Sequence, residues 1–174
     1  NAIHQLIEDG LLAYDTPVAA ILDLEPLPGD RADRWLEDLT VDHLLTHTVG
    51  WDSDLGGIDP MVFQDWIVAL SNGELPPPTR HEIASFMAGP PFQFEPGTRW
   101  GYCNFGYLLL QMLAEKVTGQ DFPEYVHDNL FRPVGVQRAR MAHTLRSELA
   151  PTERDYDGGS QGDPYELTAE NAYA

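Results

Sequence analysis

Apolar positions along this chain recur mainly with the period of an α-helix. The clearest case is the stretch from Phe105 to Thr118, in which apolar residues return every three or four positions. These residues are Leu108, Leu109, Met112, Leu113 and Val117. Asn104 precedes the stretch as a predicted N-cap, and Gly119 follows it as a predicted C-terminal stop. The pattern therefore predicts the longest helix of the chain.

Shorter elements are predicted before it. Residues 1–9 place apolar side chains on one helical face and are followed by Gly10. They are therefore predicted to be the last turns of a helix whose start is not among these residues. Leu11 to Leu22 is predicted to be an extended connection. Thr40 is predicted to cap a short helix from Val41 to His47.

The middle of the chain carries two further helix starts. Asp59 and Pro60 suit the N-cap and first position of a helix that Gly73 would end. Thr79 and Glu82 have the spacing of a capping box, in which each side chain binds the backbone N–H of the other residue. A helix is therefore predicted from Thr79 as far as Gly89-Pro90.

One more helix is predicted from Phe122 to Leu130, with Asp121 before it and Pro133 as its stop. No stretch has the alternating pattern of a strand, and regular periodicity fades after Met141. The chain is therefore predicted to be mainly α, with a sheet largely absent.

Charge narrows the range of partners. The 174 residues contain 28 acidic and 10 basic side chains, a net charge of -18. This charge argues against nucleic acids and anionic membranes as partners, because both are bound through clustered Lys and Arg. No apolar run reaches the length of a membrane span. Two origins of the acidity stay open: a GC-rich genome with a solvated surface, or a high-salt cytoplasm in which salt screens the repulsion.

Metal binding has little support in the sequence. Cys103 is the only cysteine, which excludes an intrachain disulfide and a Cys-based zinc site. His43 and His47 are four residues apart and could share a helical face, but no Glu follows His43 as in H-E-x-x-H. A capping or core role is the favoured interpretation of both histidines. No metal and no cofactor is predicted.

Two short motifs suggest catalytic chemistry. Gly158 to Gly162 matches G-x-S-x-G, but its polar flanks lack the strand and helix that a nucleophile elbow requires, so a surface loop is favoured. Tyr102 and Asn104 lie at the entrance of the long helix, where N–H groups and the positive end of the helix dipole can stabilise an anion. Considered alone, that pair favours the simpler interpretation, in which Asn104 caps the helix and Tyr102 packs beneath it.

Longer stretches resemble the serine β-lactamase-like family, which includes class C β-lactamases, penicillin-binding DD-peptidases and related esterases. The order and spacing of these stretches agree with that family over most of the chain. The Y-x-N motif of the family falls on Tyr102 and Asn104. The resembling stretches are HQLIEDGLLAYDTPVAAIL, LTVDHLLTHTVGW, FEPGTRWGYCNFGYLLLQMLAEKVTG and FPEYVHDNLFRPVGVQRARM.

The resemblance implies catalytic roles for both residues of the motif. Tyr102 would move protons to and from a nucleophilic serine and the leaving group. Asn104 would bind the amide of the substrate and the catalytic lysine. Departures from the family pattern are mild: Cys103 and Val49 each replace a usual serine, and residues 134–136 read Val-Gly-Val instead of Leu-Gly-Met.

The family's other catalytic motifs are missing from these residues. Its nucleophile lies in S-x-x-K, yet the only lysine here is Lys116, and Leu113 stands three residues before it. The K-T-G or H-x-G motif is missing as well. The sequence is therefore expected to be one partial domain over residues 1–174, the helical lobe of a β-lactamase-like fold truncated at both ends.

Two classes of function follow from that expectation. In the first, the chain is part of a serine acyl hydrolase that forms an acyl-enzyme with a small-molecule substrate: a β-lactam, a D-Ala-D-Ala peptide or an ester. In the second, it is a non-catalytic binding or scaffold protein, or one half of a split enzyme. An S-x-x-K motif encoded just upstream would distinguish them. The compartment stays open between a high-salt cytoplasm and secretion, and the oligomeric state is not predicted.

Overall fold

The long helix predicted from the sequence is the centre of the fold. The computed structural model describes residues 1–55, 69, 73 and 78–139. In it, helix α5 spans Asn104–Thr118 and packs against the described α-helices α1 to α4 and α6. Their bounds are Ala2–Glu8 (α1), Val18–Leu22 (α2), Val41–Leu45 (α3), Arg80–Ala88 (α4) and Phe122–Val126 (α6). The helix predicted from Asp59 lies outside the described residues except for Ala69 and Gly73, and the loop around Ser160 lies outside them entirely.

Capping residues place several helix ends where the sequence predicts them. Thr79 and Glu82 form the predicted capping box at the start of α4. Thr40 caps α3 by accepting a hydrogen bond from the backbone of His43, and Nδ1 of His43 accepts one from the Thr40 N–H in return. The capping interpretation of His43 is therefore confirmed. Gly119 ends α5 in the left-handed conformation, with φ of 67°.

The connection predicted to be extended between Leu11 and Leu22 is wrong in its second half. Val18 to Leu22 forms a short helix that begins directly after Pro17. Val18 and Leu22, at its two ends, are one helical turn apart, and both are buried in the core. Burial of that pair fixes the turn, although a five-residue helix has almost no stability of its own.

Two predicted helix boundaries also change, the start of α5 and the end of α3. Cys103, in extended conformation (φ -146°, ψ 109°), is the N-cap residue of α5, and Asn104 is its first helical residue. Helix α3 ends at Leu45, before the predicted His47. The cause is visible in the backbone, because His47 has a φ of 56°, which a right-handed helix cannot contain.

The last predicted helix continues past its expected stop. Helix α6 gives way to a π-helical turn over His127–Phe131 and then to a 3₁₀ turn over Arg132–Val134. Pro133 lies within the first positions of that turn, where its missing N–H leaves no hydrogen bond unmade. The chain then leaves the turn at Gly135, with φ of 83°.

In residues 1–55 and 78–139, buried apolar side chains form a cluster around α5, and polar contacts join the helices at its edge. Phe105, Leu109 and Leu113 of α5 are almost fully buried in it. Glu115 of α5 accepts a hydrogen bond from Arg80 of α4 at 2.7 Å and from the backbone N–H of Phe122 at 3.0 Å. One carboxylate thus joins α4, α5 and the start of α6.

The described residues agree with the mainly α prediction. Within residues 1–55 and 78–139, extended pairing amounts to one isolated bridge between Pro17 and Thr40. None of the helices in that part of the chain combines the length and apolar character that crossing a bilayer requires.

Candidate active site at the entrance of the long helix

Tyr102 and Asn104 are in direct contact at the N-terminus of α5. The phenolic O–H of Tyr102 donates a hydrogen bond to Oδ1 of Asn104, with an O···O distance of 2.8 Å. The two side chains lie on the same side of the chain because Cys103 between them is extended and buried. Asn104 holds the hydroxyl of Tyr102. The tyrosine is nevertheless 43% exposed, so it remains accessible from solvent.

The backbone of Tyr102 is fixed from a second segment. Its carbonyl oxygen accepts hydrogen bonds from the backbone N–H and from the hydroxyl of Ser53, at 2.9 and 3.0 Å. Ser53 begins a 3₁₀ turn, Ser53–Leu55, in the loop that follows α3. The phenol therefore extends from an anchored backbone.

His47 contacts the same segment from the end of α3. Its Nδ1 accepts a hydrogen bond from the Cys103 N–H at 3.3 Å, and its carbonyl oxygen accepts one from the Gly101 N–H at 2.9 Å. Its imidazole ring lies 4.9 Å from the ring of Tyr102, measured between centroids. Residues on both sides of Tyr102 and the tyrosine ring itself therefore contact one histidine.

Aromatic side chains surround this histidine on the protein surface. Tyr107, one turn into α5, stacks on His47 with a centroid distance of 5.0 Å and an angle of 26° between the planes. Trp100 meets His47 edge-on at 6.3 Å and is 61% exposed. Trp100, Tyr102 and Tyr107 therefore lie around one imidazole, and all three are exposed at the protein surface.

Close backbone packing holds the loops that carry these residues. The carbonyl oxygen of Gly50 accepts hydrogen bonds from the N–H groups of Gln93 and Phe94, at 2.9 and 3.3 Å. Gly50 has a φ of 107°, and a Cβ at this position would collide with the Phe92 ring and the Phe94 carbonyl. Only glycine fits both the conformation and the space.

A buried carboxylate stabilises the turn beneath Tyr102. Asp52 is 6% exposed and forms an ion pair with Arg99 at 3.3 Å. Its other carboxylate oxygen accepts a hydrogen bond from the Asp54 N–H at 3.0 Å. A Cβ on Gly101 would lie 2.7 Å from the Cβ of Asp52, so this pair of residues is packed as closely as a glycine allows. The charge serves to fix the loop.

Sequence reasoning did not find the role of His47. The sequence offered it only as a weak metal ligand or as a capping or core residue. Its contacts with Gly101 and Cys103 span more than 50 positions of the chain, and no local pattern reports such contacts. The signal that existed was its place at the end of a short helix, directly before Thr-Val-Gly.

The site offers no cluster of metal ligands. Among the residues that the structure describes, no group of three or more His, Cys, Asp or Glu side chains is arranged to hold a metal ion. The Nδ1 atoms of His43 and His47 both accept backbone hydrogen bonds instead.

Comparison with known proteins identifies the family. The family model described as Beta-lactamase matches residues 1–172. Penicillin-binding protein 4* of Bacillus subtilis (strain 168) is 26% identical over 159 residues, covering 87% of this chain and 29% of that protein. Lovastatin esterase of Penicillium rubens is 27% identical over 162 residues, covering 85% of this chain and 38% of that protein. The chain spans well under half the length of these relatives.

Solved structures agree on the fold. The crystal structure of a penicillin-binding protein from Bacillus halodurans superimposes with a TM-score of 0.61 at 31% identity, covering 86% of this chain and 42% of that one. The helices described above therefore correspond to part of a β-lactamase-like fold. With a family match over almost its whole length and a shared fold, the chain belongs to the beta-lactamase family of serine hydrolases related to penicillin-binding proteins.

Proposed function

We propose that this chain is the helical lobe of a serine acyl hydrolase and supplies its acid–base tyrosine. Tyr102 acts as the proton carrier between a nucleophilic serine and the leaving group, and Asn104 orients it. The serine and its lysine come from residues outside these 174. The protein acts through an acyl-enzyme, as covalent catalysis by serine requires.

The observation that supports this proposal is the 2.8 Å hydrogen bond between the Tyr102 hydroxyl and Oδ1 of Asn104. A phenol that is held in one orientation and stays partly exposed can take the proton of the nucleophilic serine while it passes its own O–H proton to the leaving group, so that it remains neutral after the transfer. The position at the start of α5 also stabilises negative charge that develops near Tyr102, because the N-terminal end of a 15-residue helix carries a partial positive charge.

The lysine within the chain cannot complete this site. Lys116 lies twelve residues after Asn104 on the same helix, about 18 Å along its axis at 1.5 Å per residue. Its ammonium group pairs with Asp23 at 3.5 Å on the exposed surface. Leu113, three residues before it, is fully buried. Residues 113–116 therefore belong to the core and the surface of the lobe, and the proposal places the S-x-x-K motif elsewhere.

The substrate class follows from the chemistry of an acyl-enzyme. A β-lactam, a peptide ending in D-Ala-D-Ala and a small ester each present a carbonyl that a serine can attack. The relatives carry names of both kinds, a penicillin-binding protein and an esterase. The exposed rings of Trp100 and Tyr107 favour substrates with an apolar or planar group next to the reacting carbonyl.

The test uses the intact protein, the product of the whole reading frame that contains these residues. Acylation by nitrocefin, a p-nitrophenyl ester and a D-Ala-D-Ala peptide is measured for wild type and for Tyr102→Phe. We expect the variant to lose a factor of about 10² to 10⁴ in acylation, the usual contribution of a general acid–base group. Its stability should fall by only about 1 kcal/mol.

Tyr14→Phe is the matched control, because Tyr14 is exposed to a similar degree, at 48% against 43% for Tyr102. This control should keep wild-type acylation. Wild-type protein that hydrolyses none of the three substrates would favour a binding or scaffold protein. Activity of Tyr102→Phe within threefold of wild type would show that Tyr102 is not the proton carrier.

A further inference from the structure

We infer that His47 is the positioning residue of Tyr102. This inference rests on the proposed function, and it adds a residue that neither the Y-x-N motif nor an S-x-x-K motif contains. The imidazole does not reach the phenolic oxygen by any hydrogen bond in the structure. His47 acts on Tyr102 through the hydrogen bonds that it accepts from the backbone on either side of the tyrosine.

His47 contacts Tyr102 and the residues directly before and after it. The N–H before it, on Gly101, is bound by the His47 carbonyl at 2.9 Å. The N–H after it, on Cys103, is bound by Nδ1 of the imidazole at 3.3 Å. The tyrosine ring between them lies against the imidazole, with ring centroids 4.9 Å apart. A shift of His47 would therefore shift the phenol.

His47 itself is held in a conformation that costs energy. Its φ of 56° is in the left-handed region, where residues other than glycine are uncommon. Such strain persists only where the surroundings enforce it, and it concentrates at functional sites. Here the left-handed turn ends α3 and lets both the carbonyl oxygen and Nδ1 of one residue face the segment 101–103.

The orientation of the imidazole is also fixed. Nδ1 accepts a hydrogen bond from Cys103, so it carries no proton, and the neutral ring has its N–H at Nε2. Tyr107 stacks on the ring, and its hydroxyl donates a hydrogen bond to the Leu45 carbonyl at 3.4 Å. Helices α3 and α5 are thus joined through the aromatic side chains that support Tyr102.

A positioning residue should affect the chemical step more than substrate binding. The hydroxyl of Tyr102 has to meet a reacting oxygen within hydrogen-bond distance, and a misplacement of about 1 Å can cost about 10² in rate. In the intact protein, loss of the His47 side chain is therefore expected to lower kcat by about tenfold to a hundredfold with little change in KM.

Two substitutions separate the hydrogen bond from the backbone strain. In His47→Asn, Oδ1 is bonded to Cγ as Nδ1 is in histidine, so it can accept from the Cys103 N–H, and asparagine tolerates a positive φ. His47→Gly adopts a positive φ freely but has no acceptor. We expect His47→Asn to keep most of kcat and His47→Gly to lose it.

A second measurement does not depend on activity. Amide hydrogen exchange of Cys103 reports directly on its hydrogen bond to His47. Losing a hydrogen bond of ordinary strength should speed that exchange about fivefold in His47→Gly, and His47→Asn should restore the protection. His43→Ala is the matched control: it removes an imidazole whose Nδ1 also accepts a backbone N–H, on Thr40, and should leave Cys103 exchange and kcat unchanged.

The two measurements distinguish this inference from the proposed function. A wild-type protein without hydrolase activity would overturn the proposed function, and the exchange of Cys103 would still decide whether His47 fixes the segment. Equal Cys103 exchange in wild type and His47→Gly would overturn the inference even in an active enzyme. A kcat for His47→Asn as low as that of His47→Gly would overturn it as well, because the acceptor atom would then not matter.

Discussion

The hydroxyl of Tyr102 reaches Oδ1 of Asn104 across the residue at which the chain turns from extended to helical. Cys103 lies between them with φ of -146°, and α5 begins at the next residue. A side-chain contact between residues i and i+2 is natural in extended backbone, where both side chains point to the same face. The helix start then carries the acceptor, while the phenol stays outside the helix.

Asn104→Ala should separate the catalytic interpretation of this residue from a capping role. Cys103 holds the N-cap position, so alanine at the first helical position should cost less than about 1 kcal/mol of stability. The acceptor of the Tyr102 hydroxyl is lost, so acylation by the intact protein should fall by about tenfold or more. Thermal unfolding and acylation rates of the same preparation are the measurement.

Thr79→Ala gives the opposite pattern and serves as the control. Thr79 is a true N-cap with a complete capping box, and its loss should cost about 1 to 2 kcal/mol. Helix α4 does not carry Tyr102, so acylation should be unchanged at temperatures where the variant is folded. Asn104→Ala that destabilises as much as Thr79→Ala and keeps full activity would return Asn104 to a structural role.

The 174-residue chain alone should have no hydrolase activity. It contains Tyr102, but its single lysine pairs with Asp23 and follows a buried leucine at the position of the nucleophile. A general acid–base group without a nucleophile has nothing to activate. Turnover of nitrocefin and of a p-nitrophenyl ester by the purified chain should equal that of buffer, with circular dichroism to verify its helix content. Turnover that Tyr102→Phe abolishes would contradict this expectation.

Gly50→Ala should destabilise the protein far more than Gly29→Ala. Both glycines have a φ near 100°, so both substitutions strain the backbone by about 1 to 3 kcal/mol. Around Gly29 there is no atom within 4 Å of a new Cβ, whereas at Gly50 the Phe92 ring and the Phe94 carbonyl stand in the way. Overpacking should add about 1 to 3 kcal/mol at Gly50 alone. Urea unfolding of the two variants measures the difference, and equal midpoints would show that the close approach does not matter.

Salt should stabilise the intact protein. The net charge of -18 on 174 residues makes the compact state repel itself. Raising salt shortens the screening length from about 10 Å at 0.1 M to about 3 Å at 1 M, and the folded state gains more because its charges are closer. The melting temperature is expected to rise between 0.1 M and 2 M KCl. A melting temperature that does not change or that falls with KCl would contradict the hypothesis that the acidic surface reflects a high-salt cytoplasm.

Local signals were sufficient for the ends of several helices. Thr40, Thr79 and Gly119 act on backbone groups within four residues of themselves, so their roles can be read from the sequence. The apolar stripe of α5 likewise shows which face is buried. Similarity over long stretches indicated the family and assigned its Y-x-N motif to Tyr102 and Asn104.

Contacts between distant segments decided the rest. Val18 to Leu22 becomes helical because the core buries its ends, and α3 stops early because His47 turns left-handed to bind Gly101 and Cys103. Neither result follows from propensity, because the interactions that stabilise them come from residues far along the chain. The sequence by itself determined that Tyr102 and Asn104 lie at the N-terminus of the long helix. Only the tertiary structure decided that a histidine from another helix end holds the tyrosine there, because that geometry exists only after α3 packs on α5.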